Sequence, residues 1–150
     1  MIARRIGIAA ALAALAACSR GTPIDMTNPP HTRAGAWVET GTLHGQARAP
    51  FTFCDPGRAI FPPKDATCSQ WQAVRLPDGA IEFNAVCADS GATIRLRRRI
   101  VGDLASSFTD DITSVMEAPN QPKSALSAHS VLHYQGPCPP GMKPFNPTAG

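Results

Sequence analysis

Apolar and polar residues alternate with a period of two along most of the chain, and turn residues interrupt the alternation at short intervals. This period is typical of β-strands that bury one face. It predicts seven strands and little helix, over residues 36–43, 48–54, 70–76, 80–88, 92–101, 106–116 and 127–135. We therefore expect an all-β domain, a single small antiparallel meander that forms a curved sheet or a small barrel.

Short turns join these strands and restrict their register. Residues 77–79, Pro-Asp-Gly, are a strong hairpin signal, a type I turn closed by a left-handed glycine. Because a slip of one residue turns a strand over, the register must keep the apolar side chains on one face. The registers that satisfy this condition pair Leu76 with Ala80, Cys87 with Ala92, and Leu96 with Ile112.

These registers separate an inner, apolar face from an outer, charged face. On the outer face Arg97 is expected between Glu82 and Asp111, so that the basic run at residues 95–99 is a solvated strip with acidic partners. The residues expected on the inner face are Trp71, Ala73, Ile81, Phe83, Ala85, Ile94, Leu96, Ile100, Phe108, Ile112, Met116, Leu132 and Tyr134.

Three charged residues fall on the inner face by the same parity. Arg75, Arg98 and Asp110 are expected to cluster at one end of it. Such a cluster is either an ion cluster at the rim of the core or the polar end of a ligand pocket. It is the candidate ligand-binding site of the sequence.

The cysteine positions predict two disulfides. The register brings Cys68 close to Cys87, which leaves Cys54 to pair with Cys138. The alternative joins Cys54 to Cys68 and Cys87 to Cys138, and sequence alone permits all three connectivities. Zinc binding is excluded by spacing, because no two of these cysteines are separated by the two to four residues typical of zinc sites.

The start of the chain predicts export. Arg4 and Arg5 precede twelve weakly apolar residues, as in a bacterial secretory signal, and the run is too short for a membrane-spanning helix. Leu15-Ala16-Ala17-Cys18 resembles the lipobox of bacterial lipoproteins, which implies cleavage after residue 17 and a lipid on Cys18. A lipidated Cys18 also leaves an even number of cysteines to pair. The alternative is ordinary signal cleavage and a soluble periplasmic protein.

Composition adds limits on location and partners. Ser19 after the cysteine implies, by resemblance to the sorting rule of lipoproteins, the outer membrane and a domain facing the periplasm. Without residues 1–17 the chain carries 12 Lys and Arg against 11 Asp and Glu, which gives no basis for nucleic-acid binding. The chain divides into a signal peptide at 1–17, a lipidated tether at 18–34, a β domain at 35–138 and a flexible tail at 139–150.

The first strand and the last cysteine together indicate a family. Gly35-Ala36-Trp37-Val38-Glu39 and Gly136-Pro137-Cys138-Pro139 resemble the opening and closing motifs of a proteobacterial family of small exported proteins. That family is the domain-of-unknown-function family numbered 3617. The resemblance implies export and a β domain, and it supplies no reaction, cofactor or ligand. The family's usual short helix start after the first cysteine is replaced here by Cys54-Asp55-Pro56-Gly57.

Catalysis is the weakest of three functional classes. Asp110 and Asp111 are adjacent in a strand and face opposite sides, and His129 and His133 are expected about 13 Å apart on the solvent side. The sequence favours a non-catalytic binding module, tethered by its lipid, for a small apolar or anionic amphiphilic ligand. The alternatives are an accessory that binds an envelope protein and an unrecognised envelope enzyme.

Overall fold

The structure, a computed structural model, describes residues 21–61 and 66–145. All of its regular secondary structure in these residues is β. The strands are β1 (Thr22–Pro23), β2 (Gly35–Leu43), β3 (Gln46–Asp55), β4 (Cys68–Arg75), β5 (Ile81–Asp89), β6 (Ala92–Asp103), β7 (Ser107–Glu117) and β8 (Ser124–Gly136).

The eight strands form one antiparallel sheet in the order β1-β4-β5-β6-β7-β8-β2-β3. Strands β4 to β8 are a meander, and the β2–β3 hairpin adds to its β8 side. The sheet is curved and does not close, since β1 and β3 are its two edges. The predicted all-β meander and its seven strands are confirmed, and of the two predicted forms the curved sheet is the one observed.

Turns of two or three residues connect the strands of the β2–β3 and β4–β5 hairpins. Gly79 has a φ of 84° and donates its backbone N–H to the carbonyl of Leu76, as expected for the turn at 77–79. Between β2 and β3, His44 and Gly45 both have positive φ, which matches the right-handed twist of the flanking strands. Local turn chemistry therefore fixes these hairpins without help from the core.

The predicted faces are confirmed, but two registers are shifted by two residues. Cys87 lies opposite Ile94 rather than Ala92, and Leu96 lies opposite Ser114 rather than Ile112. A shift of two preserves which side chains share a face, so the core is unaffected. The expected contact of Arg97 with Asp111 is wrong, because the shift places Asp111 opposite Arg99.

The core lies on the inner face. Trp37, Phe83 and Ile100 are its largest fully buried side chains. Trp37 and Phe108 make an edge-to-face contact with ring centroids 5.5 Å apart, and Phe61 stacks on Phe83 at 4.8 Å. Segments outside the meander supply part of this core, since Ile60 and Phe61 are buried in it and Ile24 and Met26 pack against it.

The prediction of a flexible tether at 18–34 needs correction from residue 22 onward. Thr22 and Pro23 pair with the end of β4, and Ile24 donates its N–H to the carbonyl of Ala73 at 2.9 Å. Further along, Arg33 donates its backbone N–H to Leu104. This segment shows no alternation of apolar and polar residues, because it is rich in proline and polar residues. Ile24 and Met26 nonetheless bury apolar surface against the core, which attaches the segment to the sheet.

The predicted tail at 139–150 is likewise attached up to residue 145. Phe145 donates its N–H to the carbonyl of Cys54 at 2.8 Å, and its ring contacts those of Phe51 and Phe53. Residues 146–150 lie outside the described part of the chain. The end of the chain therefore covers part of the β3 edge, which would otherwise expose unpaired backbone groups.

The disulfides are Cys54–Cys138 and Cys68–Cys87, the preferred pairing of the sequence analysis. Cys68–Cys87 joins the adjacent strands β4 and β5, where an irregularity between Cys68 and Gln70 brings the two cysteines directly opposite. Cys54–Cys138 joins β3 to the segment after β8. Cys18 and the predicted signal peptide at 1–17 lie outside the described residues.

Candidate functional site

Arg98 and Asp110 form a two-point ion pair on the inner face. Nε of Arg98 donates to Oδ1 of Asp110 at 2.8 Å, and Nη2 donates to Oδ2 at 2.5 Å. Nη1 of Arg98 donates to the backbone carbonyl of Ile60. The side chains of Arg98 and Asp110 are only 20% and 9% exposed. The pair therefore holds the segment around Ile60 against the sheet, with protein groups on each guanidinium nitrogen.

Arg75 does not join this pair. It lies in the same cross-strand row as Asp110, but Ile81 and Ile100 separate them, which places the two residues three strands apart. Three strand spacings are about 14 Å. Arg75 is exposed, and its Nη1 donates to the carbonyl of Gly79 in its own hairpin. The three charges predicted as one cluster are thus a buried pair and a separate surface arginine.

The aromatic residues of the inner face are likewise divided, between the core and its margin. Trp37, Phe83 and Phe108 are buried in the core, whereas Trp71 and Tyr134 are half-buried at its margin. Tyr134 is covered by Arg33, whose guanidinium lies 4.3 Å from the ring centroid. Trp71 makes an edge-to-face contact with Phe83, with ring centroids 4.9 Å apart, and lies beside the exposed part of the inner face.

This part of the inner face, the apolar end, consists of two exposed and three half-buried residues. The exposed residues are Met116 and Leu126, and the half-buried residues are Trp71, Ile94 and Leu96. Register makes it continuous: Met116 lies opposite Ile94, and the row of Leu126, Ser114, Leu96, Ala85 and Trp71 crosses five strands. Met116 is 44% exposed and Leu126 is 41% exposed. Contiguous exposed apolar side chains on a folded domain are typical of a binding surface.

The outer face carries an ionic network. Glu82 accepts hydrogen bonds from Arg97 at 3.0 Å and from Arg99 at 3.1 Å, and Asp78 pairs with Arg99 at 2.7 Å. The predicted Glu82–Arg97 pair is therefore present. Exposed pairs of this kind stabilise a fold by less than about 1 kcal/mol each. The network keeps the outer face charged and solvated, and it does not form a pocket.

The network makes stability depend on pH in the acid range. The hydrogen bond from Arg97 is the largest cause that holds the pKa of Glu82 below its ordinary value of 4.5; burial opposes it and Arg99 adds to it. A carboxyl with a lowered pKa in the folded state stabilises the fold above its unfolded pKa, and that contribution is lost as the pH falls through the folded pKa.

We expect the thermal midpoint to fall between pH 5 and pH 3, and to fall less steeply in Glu82→Gln, since that variant has no carboxylate to protonate. The measurement is a thermal melt at each pH, followed by circular dichroism. Glu117→Gln is the comparison, because the pKa of Glu117 is also lowered, chiefly by its hydrogen bond from Lys123, without the two arginine hydrogen bonds that Glu82 accepts. Identical pH slopes for Glu82→Gln and the wild type would contradict the role of the network.

A groove of about 320 Å³ lies on the outer face beside the β2–β3 turn. Its polar lining includes Thr42, Ser127, Asp111 and His129. Nδ1 of His129 lies 2.6 Å from Oδ1 of Asp111, and both side chains are about half exposed. The sequence analysis placed His129 on the solvent side, as observed, but missed this pair, since it had no register for β7 against β8. Thr42, His129 and Asp111 in fact share one cross-strand row.

The described residues include no group of three or more His, Cys, Asp or Glu side chains placed to hold a metal ion. In residues 21–61 and 66–145 there is also no helix with the length and apolar character needed to cross a membrane.

Comparison with protein-family models, with curated protein sequences and with solved structures found no match. The resemblance to the family numbered 3617 stays a prediction.

Proposed function

We propose that the protein is a lipid-anchored, non-catalytic module of the bacterial cell envelope that binds a partner protein through its apolar end. The anchor is a lipid on Cys18, and the domain faces the periplasm from the outer membrane. Two disulfides support this location, because disulfides persist in oxidising compartments and are rare in the cytosol.

The apolar end is the observation that carries the proposal. Elsewhere on the inner face the chain covers its own apolar residues, with Ile24, Met26, Ile60 and Phe61. Met116 and Leu126 remain over two-fifths exposed, whereas the inward residues of β7 and β8 nearer the middle of the sheet are buried or half-buried. An exposed apolar patch on a soluble domain marks a surface that another molecule covers.

The openness of this surface favours a protein over a small ligand. Sites for small apolar ligands are concave and enclose most of the ligand. The apolar end is one face of an open sheet, and its residues lie along two adjacent rows across five strands. A sheet face of this kind suits the apolar surface of another protein. The small apolar or anionic amphiphilic ligand of the sequence analysis remains the alternative occupant.

Photo-crosslinking in the native envelope tests the binding surface. A benzophenone amino acid at Leu126 should give a discrete adduct larger than the protein itself. Val101 is the matched control, because it is also 41% exposed but lies on the outer face. Adding Met116→Glu to the Leu126 probe should remove most of the adduct, because a charge beside the probe opposes burial of the surface.

The size of the adduct separates the candidates. A shift of several kilodaltons or more indicates a protein partner, whereas a shift below about 1 kDa, the mass range of a lipid, indicates a small ligand and contradicts the proposal. Equal adduct yields from the Leu126 and Val101 probes would also contradict the proposal. The benzophenone would then react at any exposed residue, and not only at the apolar end.

A further inference from the structure

The sheet begins very close to the proposed lipid anchor. Gly21 already packs on β4, since a Cβ added to it would lie 2.7 Å from the carbonyl oxygen of Arg75. Thr22 then pairs with Arg75. Three residue steps separate Cys18 from Gly21. Even a fully extended chain spans only about 10 Å over three steps.

The point of attachment lies at one end of the sheet. Arg75 ends β4, and the 76–80 hairpin follows it. The β6–β7 turn lies at the same end, because Ile81 pairs with Ile100 and Asp103 pairs with Ser107. We call this the near end. The far end contains the turns at 89–92 and 117–124.

The apolar end belongs to the far end of the sheet. Met116 is next to the last residue of β7, and Leu126 is the third residue of β8. Strand β6 runs the whole distance from the far end to the near end with 12 residues. At the rise of an extended strand, 12 residues span about 40 Å.

We propose that the near end of the sheet lies directly against the lipid surface and that the apolar end points away from it into the periplasm. This inference rests on the lipid anchor of the proposed function. A linker of about 10 Å cannot carry the near end far from the headgroups. The far end lies a strand length from the point of attachment, so it stays away from the lipid whenever the sheet stands on its near end. Linker length, and not charge, keeps the near end at the lipid surface, because the near end carries Asp78 and Asp103 as well as Arg75.

The orientation refines the proposed function. In this orientation a partner meets Leu96 and Ile94 about 20–30 Å along β6 from the near-end turn, because these residues lie seven and nine positions before Asp103. The partner is then a periplasmic protein or the periplasmic part of a larger one. In this orientation the lipids of the anchoring membrane do not reach the apolar end.

Photo-crosslinking to lipid tests the orientation in the full-length protein in its native membrane. The benzophenone probe is placed at Ala105, in the β6–β7 turn of the near end, or at Gln121, in the β7–β8 turn of the far end. Both residues are exposed in turns between consecutive strands, so they form a matched pair. We expect at least about fivefold more lipid adduct from Ala105, which lies within a short linker of the headgroups while Gln121 lies a strand length away.

A linker variant is the control for distance. Twenty Gly and Ser residues inserted between Arg20 and Gly21 have a root-mean-square length of about 25 Å. They should lower the lipid adduct at Ala105 towards the level at Gln121. Equal lipid adducts from both probes in the protein without the insertion would overturn the orientation.

Labelled palmitate distinguishes the two ways in which the inference can fail. Incorporation into the wild type and its loss in Cys18→Ser establish the anchor, and equal lipid adducts would then refute the orientation alone. Without incorporation into the wild type, the anchor of the proposed function and the orientation fail together.

Discussion

Replacing Cys54 and Cys138 together by serine lowers the free energy of unfolding by about 4–5 kcal/mol, the largest effect we expect from any paired substitution. The two cysteines are 84 residues apart, and the chain entropy that a crosslink removes from the unfolded state grows with the length of the loop. The measurement is urea unfolding of the oxidised protein. The free energies of unfolding of wild type and variant are compared with the same dependence on urea concentration.

Cys68 and Cys87 provide the matched control. They are 19 residues apart, so their replacement by serine should cost about 3 kcal/mol, less than the longer loop. A loss of under about 1 kcal/mol for the Cys54 and Cys138 variant would contradict the account. So would free thiols at these positions in protein isolated from its native compartment.

Arg98→Ala is expected to destabilise the fold by about 3–5 kcal/mol, because it leaves the buried carboxylate of Asp110 without its partner. It also releases the carbonyl of Ile60 and, with it, the segment that covers this part of the core. Arg97 is the adjacent residue in β6 but points to the outer face, where its side chain is 63% exposed. Arg97→Ala should therefore cost less than about 1 kcal/mol.

A double variant separates the structural role of the pair from a ligand-binding role. Arg98→Leu with Asp110→Leu removes both charges, and such apolar replacements of a buried pair are close to neutral. Recovery of stability in the double variant supports a structural pair. Binding of a fluorescent fatty acid that is lost in Arg98→Ala without a change in stability would instead assign Arg98 to a ligand site.

The sequence predicts the faces of the sheet better than the contacts between strands. Phe83, Leu96 and Ile112 share the inner face, as expected, because parity survives a two-residue shift. The same shift moves Asp111 from Arg97 to Arg99, whereas the Glu82–Arg97 pair survives it as a diagonal contact between β5 and β6. The register itself was predicted correctly only where a recognised turn fixes it. The β4–β5 hairpin has such a turn at 77–79, and there the expected register is the observed one.

The ends of the domain show a second limit of periodicity. Ile24 and Phe145 sit in proline-rich segments with no alternation, so their sequence resembles a linker and a tail. Each is nonetheless held by a backbone hydrogen bond to a strand, at Ala73 and Cys54 respectively. A few apolar side chains and backbone pairs in an irregular segment leave no periodic signal, although they attach the segment to a sheet edge.

Native mass spectrometry of the protein extracted from its own envelope tests the central claim most directly, the claim that the apolar end binds a partner protein. We expect a complex whose mass exceeds that of the lipidated chain by a whole protein. This complex should be lost in Leu126→Glu and kept in Val101→Glu, since the two residues are equally exposed on opposite faces. A chain that carries only its lipid, or a complex that survives Leu126→Glu, would contradict the account.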